Sequence, residues 1–176
     1  MRMYLFLIVP LLISGLIHHL VVVKHNLFPV LARPISKGLF GPTKTYRGLI
    51  VMVVINSIAT WMVSNLGLLT GAIVGLGYSL GELPTSFLKR RAGIAPSRQG
   101  GGIKGVVFYF LEQGDSVFGA LICANFLVEL TIIQNVAIFV SGFLLHLVVD
   151  GWLYFAGYKK TLPLPAFLKI LSGRKG

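Results

Sequence analysis

Apolar residues run in five blocks, at 3–23, 49–66, 68–83, 116–133 and 136–156, separated by segments that hold most of the charge. A bilayer core of roughly 30 Å is crossed by about 20 apolar residues in helical conformation, so the pattern predicts five transmembrane helices. The first block carries Pro10, a predicted kink, and lacks a small-x-small cleavage site, so it reads as a retained helix and not a leader. Polar segments are predicted at 24–48, where Pro29, Pro34 and Pro42 interrupt long helices, and at 84–115. Turns are predicted at Asn65-Leu66-Gly67 and at Gln134-Asn135, and Pro84 suits the first position of a new helix after Glu82.

Composition agrees with that pattern. The 176 residues are 55% hydrophobic and 12% charged, with mean hydropathy +0.83, whereas a soluble domain carries about 25% charge. One all-α integral membrane domain over 1–176 is expected. The net charge of +11 would suggest nucleic acid in a soluble protein, but the aromatics lie in apolar blocks and do not interleave with the basic residues, which argues against such a partner. Cys123 is the only cysteine, so neither an intrachain disulfide nor a cysteine metal cluster can form.

Charge also predicts topology. Lys24, Arg33, Lys37, Lys44 and Arg47 lie in the first polar loop, and Lys89, Arg90, Arg91, Arg98 and Lys104 in the second. Lys159, Lys160, Lys169, Arg174 and Lys175 lie in the C-terminal tail. Five crossings put these segments on one side, and the positive-inside rule makes that side cytoplasmic and the N-terminus external. The fold expected is five transmembrane helices, two polar cytoplasmic loops and a basic tail.

The stretch 81–120 holds three of the five acidic residues, Glu82, Glu112 and Asp115. Glu112 and Asp115 are three apart, so on a helix their carboxylates share a face and can bind one divalent cation or two adjacent ones. Ser86, Lys89 and Arg90 offer a hydroxyl and two cations to a polyanion in the same way. Upstream, GPTKTYRG places Lys44, Thr45 and Arg47 between Gly41 and Gly48, where backbone can approach an anion, although the spacing is not that of a Walker A loop. Adjacent His18 and His19 point about 100° apart on a helix, and read either as interfacial polar residues or as a contact to a lipid phosphate. Asp150, one turn beyond His146 inside the last block, calls for a partner or a wet cavity, and both structural pairing and a site role stay open. Asn56, Ser57 and Thr60 are expected to hydrogen-bond between helices, and Glu129 to be interfacial, remote from the site.

The run SFLKRR, the Gly-rich segment and the acidic-x-x-acidic pair resemble the cytidylyltransferases that make CDP-activated lipids, whose signature joins S-x-x-K-R to D-x-x-D. The chain's size, GELPTSFLKRR and GPTKTYRG resemble archaeal CDP-archaeol synthase within that superfamily. Glu112 stands where the pattern usually has Asp, and the Lys-Asp and Pro-Gly-His-Gly-Gly elements of the bacterial enzymes are missing between Arg91 and Glu112. The resemblance implies transfer of a cytidylyl group from CTP to an isoprenoid glycerol-ether lipid phosphate, in the cell membrane. It implies Mg²⁺ on Glu112 and Asp115, with Glu82 as a further ligand at the Asp position of a G-D-L element. Ser86, Lys89 and Arg90 would hold the triphosphate, and Lys44, Thr45 and Arg47 one of the two phosphates. Bacterial-type CDP-diacylglycerol synthesis, or a small transporter using Glu82 and Asp150 as cation or proton sites, are the alternatives.

Overall fold

The computed structural model describes residues 2–98 and 100–157; the tail lysines and arginines from Lys159 onward lie outside them. Among these residues five α-helices follow in order: α1 (Arg2–His18), α2 (Tyr46–Val63), α3 (Gly67–Arg91), α4 (Gly102–Asn125) and α5 (Ile132–Phe155). A π-helical turn, His19–Lys24, extends α1, and the first loop contains a short 3-10 turn, Pro29–Leu31. Among the described residues there is no strand, only an isolated bridge between Pro34 and Thr45 that closes the loop before α2. Thr45 then caps α2, its Oγ1 accepting from the Gly48 N–H.

α3 is the central helix, packed most extensively against α4 and α2; α1 lies on α2, and α5 connects α4 back to α1. The helices thus close a ring. Leu7, Val74, Val117, Ala120, Ala124 and Ile138 fill one part of its interior. Buried polar groups lie beside it: fully buried Ser14 donates toward Pro10 O (2.6 Å) and Asn56 Oδ1 (3.1 Å), and Asn56 Nδ2 donates to Gly71 O (2.7 Å). Ser57 Oγ donates to Leu68 O (2.7 Å), so Asn56 and Ser57 bond across to α3 as expected. Large apolar side chains such as Trp61, Met62, Leu69, Ile133 and Phe155 point outward instead. Buried polar bonds between helices beneath an apolar exterior are the arrangement a bilayer stabilises. α2, α4 and α5 are long and apolar enough to cross a membrane, with mean hydropathies of 1.5, 1.3 and 2.1. α1 has a shorter apolar part and α3 is diluted by glycine and charge.

Three expectations need correction. Pro84 does not start a new helix: α3 runs through it without a break to Arg91. The proline deletes only its own N–H donation to the preceding turn, and neighbouring helices hold the rest of α3 in place. The fourth helix begins at Gly102 and ends at Asn125, not at 116 and 133, so the second polar loop shrinks to 92–101 and Glu112 and Asp115 are helical. The apolar residues Phe126, Leu127, Val128 and Leu130 read as helix in the sequence but form the connection to α5, together with Glu129. Gln134 and Asn135 are not the turn; they lie in the first turn of α5, where Thr131 and Gln134 make a reciprocal capping box.

Candidate active site

Because α3 is continuous, Glu82, Ser86 and Lys89 fall at i, i+4 and i+7 and share one face. That face meets the middle of α4. Lys89, almost fully buried, places Nζ 2.6 Å from Glu112 Oε1. One turn further into the bundle, Ser116 Oγ lies 3.0 Å from Asp115 Oδ1 and 3.3 Å from Glu82 Oε1, and the Ser116 N–H donates to Asp115 Oδ1 (2.6 Å). One hydroxyl proton is therefore shared between two carboxylates on different helices.

Two carboxylates so placed repel unless positive charge is brought to them. Lys44 supplies part of it, reaching from the first loop into an ion pair with Glu82. Burial alone would lower the Lys44 ammonium, but the facing Glu82 carboxylate and its hydrogen bond outweigh that, and the net displacement is upward. Lys44 stays cationic. Asp115 has no ion pair among the described residues, where the two salt bridges are Lys44–Glu82 and Lys89–Glu112.

The donor set suits a hard divalent cation. Glu82 and Asp115 offer carboxylate oxygens side by side, while Glu112 stands apart with Lys89. No group of three His, Cys, Asp or Glu side chains among the described residues is arranged as a metal cage. Two carboxylates with the other positions left to water and phosphate is how Mg²⁺ is ordinarily bound in nucleotide sites.

Arg90 has buried Nε and Nη1 atoms with no acceptor among the described residues. A guanidinium in that state costs free energy unless an anion joins it. The two polar loops meet over it: a side chain at Gly41, where φ is +89°, would sit 3.5 Å from Pro96 Cγ and 3.7 Å from Arg90 Nε. Arg47 gives Nη1 to Asn26 Oδ1 (2.5 Å) and Leu27 O (3.1 Å), and so anchors the first loop to α2, while its buried Nε, like that of Arg90, has no acceptor among the described residues. Thr45 combines its capping role with a place on the wall of the central cavity.

Residues on α5 and α1 complete the surroundings, and here sequence reasoning had left alternatives open. Asp150 accepts from Gln113 Nε2 (3.2 Å) and bonds Tyr109, both on α4, and His146 Nε2 lies 2.8 Å from the Tyr78 hydroxyl on α3. Asp150 and His146 are thus paired across helices, and both also line a cavity of about 370 Å³ that includes His18, His19, Lys44 and Glu82. The i, i+4 spacing of His146 and Asp150 was the available signal; Tyr78 and Ser116, both polar residues within apolar blocks, were missed.

The chain matches the CarS-like family model, described as CDP-archaeol synthase, over residues 32–162, well over half of its length and including every candidate residue from Lys44 to Asp150. No curated protein and no solved structure matches it. With its membrane-length helices and its phosphate-suited polar face, the chain belongs to the CDP-archaeol synthase family, whose activity is cytidylyl transfer from CTP in membrane-lipid biosynthesis.

Proposed function

We propose that this protein transfers the cytidylyl group of CTP to 2,3-di-O-geranylgeranylglycerol 1-phosphate, giving the CDP-lipid and pyrophosphate, with Mg²⁺ as the cofactor. The observation that carries this reading is the approach of Glu82 and Asp115 to one hydroxyl, flanked by Lys44 on one side and the Lys89–Glu112 pair on the other. A phosphate oxygen of the lipid attacks the α-phosphorus of CTP. The bond from that phosphorus to the β-phosphate bridging oxygen breaks, and pyrophosphate leaves with the electron pair. The lipid phosphate is already ionised at neutral pH, so no general base is needed.

What the chain must do is bring two polyanions together. Glu82 and Asp115 would hold Mg²⁺, with Glu112 on the same face of α4 as Asp115; when bound, the cation neutralises charge on the reacting phosphates. Ser86, Lys89 and Arg90 hold the triphosphate, and Lys44 faces the acceptor. Catalysis is then mainly positioning and charge stabilisation. α1 and α3 join α2, α4 and α5 as spans, making five crossings. The end of the bundle that carries both loops faces the cytoplasm, since Arg33, Lys37, Lys44, Arg47, Arg91 and Arg98 gather there. This sets the nucleotide in water and the lipid in the bilayer, as the reaction needs.

The test is incubation of purified protein with radiolabelled CTP, Mg²⁺ and a panel of ether- and ester-linked lipid phosphates. The ether lipid yields a labelled CDP-lipid; preference for the ester would identify a bacterial-type CDP-diacylglycerol synthase, and no product with any acceptor would end the proposal. Arg90→Ala should raise the Kd for Mg-CTP at least ~10-fold, about 1.4 kcal/mol, in equilibrium dialysis. Its melting temperature should hold, because Nε and Nη1 have no acceptor to lose among the described residues. An unchanged Kd removes Arg90 from the nucleotide site.

A further inference from the structure

Tyr78 and His146 have no part in the transfer assigned above, yet they join the carboxylates to a third helix. α5 packs on α4 and α1, and the His146 imidazole also ties it to α3, its Nε2 lying 2.8 Å from the Tyr78 hydroxyl. The same hydroxyl is hydrogen-bonded to Ser116 on α4. Ser116 is 1% exposed, and its Oγ lies 3.0 Å from Asp115 Oδ1 and 3.3 Å from Glu82 Oε1. Imidazole, phenol and hydroxyl thus form one line from α5 through α3 to α4, and the line ends on the carboxylate pair. Counting protons fixes its direction. Ionised carboxylates only accept, so the single Ser116 Oγ proton points to them. Toward Tyr78 the Ser116 oxygen can then only accept, which commits the one phenolic proton to it. Tyr78 is left with lone pairs facing the imidazole, so His146 Nε2 must carry hydrogen.

We propose that His146 and Tyr78 are positioning residues for the cation site: His146 Nε2–H donates to Tyr78, Tyr78 O–H to Ser116, and Ser116 O–H to Glu82 and Asp115, which holds the two carboxylates in register. The proposal rests on the cytidylyl transfer for the purpose of the cation and adds how its ligands are kept in place. Without the Tyr78 proton, Ser116 is free to turn its own toward a carbonyl of the preceding helical turn, where serine hydroxyls in helices commonly donate. Its lone pairs would then face the carboxylates, and these would rotate apart. A bond that merely glued helices would affect stability and not metal affinity. The fold has other ties at this point, since Gln113 Nε2 on α4 also donates to Asp150 on α5 (3.2 Å).

Tyr78→Phe deletes one oxygen and keeps the ring beside His146, the centroids lying 5.8 Å apart. Mn²⁺, which suits the same carboxylate donors as Mg²⁺, is the probe. Electron paramagnetic resonance of the detergent-solubilised protein without nucleotide should show the Kd for Mn²⁺ raised at least ~10-fold in Tyr78→Phe and in His146→Phe. The kcat should fall by a similar factor while the KM for CTP changes less than about twofold. His146→Gln, whose amide nitrogen carries hydrogen at a similar reach, should recover most of both losses. Nitrogen-15 NMR of histidine-labelled wild type, with His146 assigned from the signal missing in His146→Gln, should find Nε2 protonated. The proposal is overturned by wild-type Mn²⁺ affinity and kcat in Tyr78→Phe, or by a His146 ring protonated on Nδ1 alone. It is equally overturned if His146→Gln is as impaired as His146→Phe, which would reduce the pair to helix packing. Mn²⁺ affinities that follow the donor pattern, in a protein that forms no CDP-lipid, would instead sink the proposed reaction and leave the positioning line standing.

Discussion

Asp115→Asn lowers CTP- and Mg²⁺-dependent product formation at least ~100-fold, a loss of about 2.7 kcal/mol of transition-state stabilisation. The substitution is nearly isosteric, and its amide oxygen can still accept from the Ser116 N–H, so the local turn of α4 is retained. What disappears is the charge, at the one site carboxylate that has no ion pair among the described residues. Glu112→Gln should cost a similar factor by another route: it removes the partner of Lys89, whose ammonium is almost entirely buried, and disturbs the triphosphate contacts that Lys89 makes. The radiolabelled CTP assay measures both, with far-ultraviolet circular dichroism as the check on folding. Full activity in Asp115→Asn would remove the cation from that position.

Helix number and the location of the charged end were legible because hydrophobic blocks and basic loops are properties of long windows. Boundaries were not. Phe126, Leu127 and Val128 are as apolar as any helical residue, and only the Thr131–Gln134 capping box, a local interaction, shows that α5 starts after them. Pro84 misled for the opposite reason. In water it would end a helix, but inside a bundle the neighbouring helices preserve α3, and this continuity puts Glu82 on the same face as Ser86 and Lys89. The sequence spacing of Glu112 and Asp115 correctly predicts a shared helix face, yet it is blind to α3, which gives Glu112 to Lys89 and brings Glu82 to Asp115 through Ser116. Arg47 reads as a phosphate contact from its proximity to Lys44, and the bonds of its Nη1 to Asn26 and Leu27 become visible only once the first loop has folded back.

Gly119→Ala should be strongly destabilising, because Gly119 sits where α3 and α4 touch backbone to backbone. A Cβ at Gly119 would run into the carbonyl oxygen of Gly77 and sit 2.7 Å from Gly81 Cα, and one at Gly81 would run into the carbonyl of Asp115. These obstacles are backbone, which cannot rotate aside, so α3 and α4 must separate. Overpacking of this kind costs about 1–3 kcal/mol and sometimes more. Alanine's better helix propensity returns up to ~1 kcal/mol, too little to cancel it. Gly151→Ala gains the same propensity where a Cβ meets nothing within 4 Å, so its melting temperature in detergent should hold or rise while that of Gly119→Ala falls by several degrees. Equal melting temperatures would contradict the close packing. The same contact sets the chemistry, because Glu82 and Asp115 adjoin the glycines that let the backbones touch. Any variant of Gly119 that still folds should therefore lose activity in proportion to the added side-chain volume, Glu82 on α3 being drawn away from Ser116 and Asp115 on α4 as the helices part.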